Sequence, residues 1–510
     1  MRVRNVLFGF LLLVACCSIS LAQTITGSIT GTITDTSGAA VGGATVTAIN
    51  TATGVTFPTQ TNSDGVYTLR FLPIGQYKVT IQAAGFDKSS FGPFALEVAQ
   101  EARVDAKLTV GQVNQSVVVT SATPILNTEN PTTGDTITAE TATEVPLQAR
   151  NFSSLSLLVA GAVSPNPMAQ NSIKRSAYNG GYFQNGNREQ TNNYTLDGID
   201  INESIDNYIG YSPNVDAIGE MKIITGDATA EYGNANGGQI VMVTKSGTNH
   251  FHGNAFWFLE NQNLNADSWL NKHTSGTPLP TSPFNRSQFG GTFGGPIKRD
   301  KLFFFVDYQG GRQHTGTTET FTVPDAAMRA GYNAATGQYV TITNPAALYL
   351  LAHPELYPLP NAPGNLASGA YLPSNNYVGV AKQFVQNDQG DVKVDWQIRQ
   401  SDLLSGRFTM GRQTDGNSTV GMPTEFPQNN SNPYTGFAIN WTHTFSPNIV
   451  NEARAGYGRP RYTELPVDIA GHFGLTGNQT LGIPGRQGLP GFSTLVFSGG
   501  TKVTPIGSSG

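Results

Sequence analysis

The stretch Asp391-Val392-Lys393-Val394-Asp395-Trp396-Gln397-Ile398-Arg399 decides the fold. Val392, Val394, Trp396 and Ile398 share one parity, and Asp391, Lys393, Asp395, Gln397 and Arg399 share the other. Successive side chains of a strand point to opposite faces, so one face is apolar and the other charged. A brief turn, Gln400-Ser401-Asp402, leads to a second such run, in which Leu404, Phe408 and Met410 oppose Ser405, Arg407 and Thr409. A polar stretch from about 413 to 434 follows. Phe437, Ile439, Trp441 and Phe445 then alternate with Ala438, Asn440, Thr442 and Thr444, and another brief turn, Ser446-Pro447-Asn448, leads into the run from Ile449 to Gly458. Apolar-out, polar-in strands joined alternately by short turns and long polar loops are the pattern of a transmembrane barrel wall around a wet interior. A soluble sandwich produces the same alternation with its polar face in solvent, so the rest of the chain has to separate the two.

Composition narrows the choice. The chain has 510 residues, and charged residues are 13% of them, against roughly 25% in an ordinary soluble domain. That excludes a coiled coil and a charged disordered tail. No apolar run is long enough for a helical membrane span. A net charge of −5 leaves no electrostatic footprint for nucleic acid. The 58 glycines, with abundant Thr, Ser and Asn, suit short strands and turns.

The first 22 residues read as an export signal. Arg2 and Arg4 precede an apolar run from Val6 to Cys17, and Ser20-Leu21-Ala22 places small residues where signal peptidase reads them. Cleavage is expected after Ala22. An uncleaved anchor helix is one alternative. Lipoprotein processing at Leu13-Val14-Ala15-Cys16 is another. Both cysteines, Cys16 and Cys17, lie in this segment, so the expected mature chain has no thiol for a disulfide or a metal.

Three unlike segments follow. In residues 23–110, Ile29, Gly31 and Ile33 face one way, as do Val46 and Ala48, then Tyr67, Leu69 and Phe71, then Tyr77, Val79 and Ile81. Turn signals at Ser37-Gly38, Gly42-Gly43, Asp64-Gly65 and Pro73-Ile74-Gly75 separate the runs, which predicts a small β-sandwich. Residues 111–121 form a linker whose Val117-Val118-Val119-Thr120-Ser121 favours an extended strand. Such a strand can add to another protein's sheet edge, or it can be the last strand of the sandwich before it. Residues 122–247 mix helix-like and strand-like pieces, and a small α/β domain fits. Leu155, Leu158 and Val159 stand at helical spacing with Asn151 as the candidate cap. Residues 192–200 give a strand turning at Asp197-Gly198, and 219–249 give two strands around a Gly/Asn-rich loop.

The first segment resembles the carboxypeptidase regulatory-like domain, through Gly31, Asp35, Gly38, Gly43-Ala44, Asn50, Gly54, Asp64-Gly65-Val66-Tyr67, Leu72-Pro73-Ile74-Gly75-Gln76-Tyr77 and Ala84-Gly85-Phe86. That name does not imply peptidase activity, and a spacer is as good a role as ligand binding. From Val145 onward the chain resembles Oar-like TonB-dependent outer-membrane receptors. The matching residues are Val145-Pro146-Leu147, Arg150-Asn151-Phe152, Leu155, Leu158 and Gly161, then Gly186, Arg188, Asn192-Asn193 and Leu196-Asp197-Gly198. Ala230-Glu231-Tyr232-Gly233, Gly237-Gly238, Val243 to Asn249, Phe251-His252-Gly253 and Gln288 to Arg312 continue the series in order.

The resemblance implies a mainly β chain: an N-terminal β-sandwich, a small α/β plug at 122–247, and at 248–510 the N-terminal part of a transmembrane antiparallel β-barrel. It implies plug-motif roles for Arg150, Asn151, Phe152, Asn193, Asp197, Gly198, Glu231, Tyr232 and Gly233. By position, Val117 to Ser121 then resembles a TonB box. The implied partners are a periplasmic TonB-type energy transducer, outer-membrane lipid, and an unidentified extracellular ligand such as a glycan, peptide or metal chelate. Plugged barrels have about 22 strands, whereas residues 248–510 hold about eight to ten by this reading. The chain is therefore expected to be the front part of a longer receptor.

Catalytic signals are missing from the sequence: there is no phosphate loop, nucleophile elbow or zinc signature. His250 and His252 share a strand face, and Asp197, Asp200, Asn202, Glu203 and Asp206 gather oxygen ligands, but neither spacing makes a recognised metal site. No cofactor is expected. Trp257, Phe303, Phe304, Phe305 and Trp441 read as lipid-facing or girdle aromatics. Two further functions stay open at this stage. One is an exported surface-binding or adhesion protein without transport. The other is a carbohydrate-active enzyme, disfavoured for want of paired carboxylates.

Overall fold

The computed structural model describes residues 25–111, 116–119, 132–165, 173–174, 181–233, 235–266, 269, 283–333, 336–364, 375–417, 426, 428–447, 449–466, 468, 473–484, 490–493 and 495. The expected export signal lies outside them.

The first nine strands are β1 (Gly27–Asp35), β2 (Thr45–Asn50), β3 (Thr56–Gln60), β4 (Val66–Leu72), β5 (Gly75–Gln82), β6 (Lys88–Leu96), β7 (Glu101–Arg103), β8 (Ala106–Leu108) and β9 (Ser116–Val119). They form two sheets, β4-β1-β7 with β8 also on β1, and β3-β2-β5-β6-β9. Between them Ile29, Ile33, Val46, Ala48, Tyr67, Tyr77, Val79 and Ile81 are buried, which is the sandwich expected from their period of two. One expected core position moves. Phe71 has φ +57 and is only partly buried, while Leu72 takes the interior place. A residue in the left-handed region breaks the pleat, so the parity slips by one there.

The second body contains β10 (Thr133–Thr138), β11 (Ala162–Val163), β12 (Phe183–Gln184), β13 (Asn193–Leu196), β14 (Ile199–Asp200), β15 (Ile218–Gly226) and β16 (Gln239–Thr244). Its main sheet runs β10-β15-β16-β13-β14, with β13 parallel to β16. All six residues of β16 are buried, as suits a central strand covered on both faces. The expected helix is a 3-10 helix, Phe152–Leu158, and Asn151 caps it by accepting from the Ser153 N–H at 3.0 Å. Leu155 and Val159 enter the core, but Leu158 stays exposed, because the chain is already extended at Val159.

The third body is a wall. Its strands are β17 (His252–Asn261), β18 (Phe284–Lys298), β19 (Leu302–Phe321), β20 (Tyr332–Asn333), β21 (Gln338–Tyr339), β22 (Tyr377–Arg399), β23 (Asp402–Asn417), β24 (Gln428–Ser431), β25 (Tyr434–Ser446), β26 (Ile449–Pro460) and β27 (Thr463–Pro466). Nine of them make one antiparallel sheet in the order β17-β18-β19-β22-β23. One end of β23 then pairs with β24, which pairs with β27; the rest of β23 pairs with β25, and β25 with β26. The long strands exceed the roughly 9–11 residues that a tilted strand needs to cross a bilayer. The alternation is as read: Val392, Val394 and Trp396 are 48%, 36% and 40% exposed, while Asp391 and Lys393 are 2% and 5%. Ala438 and Asn440 are buried between exposed Phe437, Ile439 and Trp441.

The aromatic expectation needs one correction. Trp257 and Trp441 are exposed, but Phe303 and Phe305 are buried on the inner face. Three consecutive phenylalanines cannot share one face of a strand. At the end opposite the short turns, the long connections carry their own apolar cluster around Val323, Leu350, Tyr357, Phe426, Phe473 and Phe492. Among the described residues, no helix is long and apolar enough to cross a membrane.

Candidate functional site at the plug–barrel seam

The inner, charged face of the wall meets the second body, and their contact is where the chemistry concentrates. The β13–β14 hairpin turns at Asp197 (φ +49) and Gly198 (φ +79). Positive φ at both central residues is the two-residue turn that Asp-Gly favours. The turn carries the Asp197 carboxylate into the seam, where it is 2% exposed. It accepts from the Thr244 N–H at 3.0 Å and the Thr244 hydroxyl at 2.8 Å. It also lies 2.7 Å from Arg407 Nε and 3.5 Å from Lys393 Nζ, both on the wall.

The cluster continues through the wall. Arg407 Nη1 donates to Asp391 Oδ1 at 3.0 Å, and Nη2 donates to the Leu196 carbonyl at 3.1 Å. Lys393 Nζ donates to the Thr244 carbonyl at 3.0 Å. Thr409 closes onto both Asp391 and Arg407. The Tyr211 hydroxyl donates to Asp391 Oδ2 at 2.9 Å while its ring stacks on Tyr434. Burial alone works against a charged Asp197, but Lys393 and Arg407, helped by the two Thr244 bonds, hold its pKa below the ordinary carboxylate value. A buried network of this kind is stable only while every member keeps its partner.

A second contact is built at the start of the 3-10 helix. Arg150, itself at φ +49, pairs with Asp216 and lies over the rings of Phe256 and Phe258 at 4.6 and 4.7 Å. Asn254 Nδ2 donates to the other Asp216 oxygen at 2.6 Å. Gln288 Nε2 reaches the Ala149 carbonyl at 2.9 Å. Cation–π contact with wall aromatics and a charge pair inside the second body fix Arg150 from two sides.

The sequence-predicted residues therefore divide. Arg150 and Asp197-Gly198 sit in the seam, against different wall strands. Phe152 is a core residue, edge-on to Tyr194, and Asn193 is buried with its amide 3.3 Å from Gln239 Oε1. Tyr232 is buried on another side, against the sandwich, between exposed Glu231 and Gly233. The oxygen ligands that the spacing of residues 197–206 gathers have separate partners. Asp197 is in the ion cluster, Asp200 accepts from the Asn202 N–H, and Glu203 accepts from the N–H groups of Ile205, Asp206 and Tyr208. His252 Nδ1 lies 3.0 Å from the His250 carbonyl.

Val117 to Val119 belong to β9, whose backbone pairs parallel with Lys88–Phe91 of β6; Thr120 and Ser121 lie outside the described residues. Sequence reasoning placed Asp391, Lys393 and Arg407 on the inner face without their partners. Their signal was charge on the interior parity of a lipid-facing strand, which demands a counter-charge from inside.

A wall with an apolar outer band, whose inner charges grip a separately folded body, is part of a plugged outer-membrane barrel. The chain belongs to the outer membrane beta barrel domain family, whose profile matches residues 243–510. A carboxypeptidase regulatory-like domain matches residues 28–109. Among curated proteins, the TonB-dependent transporter Oar of Myxococcus xanthus is 28% identical over 286 residues, covering 52% of this chain and 25% of Oar. Among solved structures, the outer membrane transporter YddB from Escherichia coli is similar at 14% identity and TM-score 0.43, covering 65% of this chain and 39% of that one. The siderophore receptor PirA from Pseudomonas aeruginosa is similar at 15% identity and TM-score 0.38, covering 65% and 41%. The chain thus spans a quarter of the length of the curated relative it matches.

Proposed function

We propose that this chain is part of a TonB-dependent outer-membrane receptor, which takes up an extracellular ligand with energy supplied from the periplasm. The observation that carries the reading is the plug held against the inner face of the wall by the Asp197–Arg407–Asp391–Lys393 cluster. A plug gripped by many directional bonds blocks passage until work is done on it, and no energy source is visible in the chain's motifs. Val117 to Ser121 is the segment that a TonB-type transducer captures by strand addition. The ligand is an extracellular glycan, peptide or metal chelate, and binds on the outer loops and the plug top.

The test places a photoreactive amino acid at Val118 of the full-length receptor in living cells. A covalent product with the TonB-type protein is expected, and Val118→Pro, which removes a backbone donor, is expected to reduce pairing and product alike. Product absent at 118 and at each neighbouring position would favour a surface-binding protein that does not transport.

A further inference from the structure

The N-terminal sandwich does not hang free of the barrel. Its contacts fall on the short-turn end of the wall. The Asn249 N–H donates to the Ala52 carbonyl at 3.0 Å, and Asn249 Nδ2 donates to the Thr53 carbonyl at 2.8 Å. Asn249 is itself tied to the turn between β18 and β19, accepting from the Asp300 N–H at 2.9 Å and donating to Asp300 Oδ1 at 2.7 Å. The fit there is flush: a Cβ on Gly54 would lie 2.3 Å from Asp300 Oδ1. Gln400, in the turn between β22 and β23, reaches the Thr56 hydroxyl at 3.4 Å.

The sandwich also touches the plug. The Val98 N–H donates to Glu220 Oε2 on β15 at 2.8 Å. The Val98 side chain, 0% exposed, packs with Ile224, Tyr232, Val241 and Val243 of the plug. Where the three bodies meet, they line a partly open cavity of about 130 Å³ between Phe57 and Tyr77 of the sandwich, Val243 of the plug, and Phe303, Lys393 and Leu403 of the wall. The sandwich thus covers the underside of the plug and part of the rim together. The strand β9 is the last of its β3-β2-β5-β6-β9 sheet, so whatever grips β9 grips the sandwich.

We propose that the sandwich is a detachable second closure of the barrel. Seated on the plug and on the short-turn rim, it obstructs movement of the plug toward the periplasm, and a pull on β9 unseats it before the plug yields. The inference rests on the receptor reading above, because it takes β9 as the point of pull. It gives the sandwich a role at the short-turn side of the barrel.

The test uses cysteine pairs in the full-length receptor with its other cysteines replaced by serine; within residues 1–510 the cysteines are Cys16 and Cys17, in the expected export signal. Thr56→Cys, at a half-buried position, with Gln400→Cys, at an exposed one, is treated with a short bismaleimide in living cells. The cross-link is expected in cells treated with a protonophore, and to fall several-fold in energised cells. Val98→Cys alone is expected to behave inversely, shielded from maleimide in de-energised cells and labelled in energised ones. Equal cross-linking in both states while the Val118–transducer product forms would overturn the second closure and leave the receptor reading standing. Failure to cross-link in any state would overturn the seat itself. Absence of the Val118 product in every state overturns the receptor reading, and the pull with it.

Discussion

Asp197 carries the seam. It is the plug carboxylate set directly between two buried wall cations, so its removal leaves two buried cations with Asp391 as their one remaining paired carboxylate, on Arg407, and Lys393 with only the Thr244 carbonyl. Asp197→Ala is expected to cost about 3–5 kcal/mol of plug seating. The measurement is the guanidinium midpoint of the plug transition in detergent-solubilised full-length protein; an unchanged midpoint would show that the cluster does not hold the plug. Asp197→Asn keeps the shape and is expected to lose less. Glu220 supplies the pH dependence. Burial raises its pKa to about 7, with Glu97 adding to the rise, while the Val98 N–H and Lys222 oppose it. An acid whose folded pKa lies above its unfolded value stabilises most below the unfolded pKa, and that stabilisation is lost as pH rises through the folded one. Docking of the sandwich on the plug is therefore expected to tighten as pH falls from about 7 toward 4.5. Glu220→Gln should flatten that window, read as maleimide labelling of Val98→Cys against pH. A slope unchanged by the substitution would exclude Glu220 as the titrating group.

At the scale of elements, the hairpin turn aims the seam. Gly198 sits at φ +79, and a Cβ there would come within 2.9 Å of Arg454 Nη1, which pairs with Glu452. Gly198→Ala is expected to cost about 1–2 kcal/mol through the left-handed backbone, and to shift the Asp197 carboxylate. The checks are the same midpoint and the protease sensitivity of the plug; wild-type values in both would mean that the turn tolerates a side chain. This turn was legible in the sequence as the Asp-Gly at which the strand of residues 192–200 turns. Phe71 was not, because nothing in its identity announces a left-handed backbone, and one such residue moves Leu72 into the core in its place. Phe303 and Phe305 show the same limit: three aromatics in a row state that the strand is apolar, and only pairing with the neighbouring strands states which of them face inward.

For the whole molecule, the wall makes the clearest distinction between its two faces. Ile439 is 45% exposed on the outer face, directly beside buried Asn440. Ile439→Arg is expected to cost roughly 2–4 kcal/mol near the bilayer midplane, and to lower the yield of folded protein, seen as loss of the heat-modifiable band on gels. Normal yield would argue that this face does not meet lipid.

What the sequence determined by itself was the set of faces: which parity of each strand is apolar, where the chain turns, and that a sandwich, a small α/β body and a wall follow in order. Those properties are local, because a period of two and a glycine at positive φ act over a few residues. What only the tertiary structure decided was who meets whom. Arg407 and Lys393 had an inner face but no partner until Asp197 was brought beside them, from about 200 residues earlier. Val98 had no reason to be buried until the plug covered it. Charges and apolar side chains advertise a need that many partners could meet, and only the folded chain selects one of them.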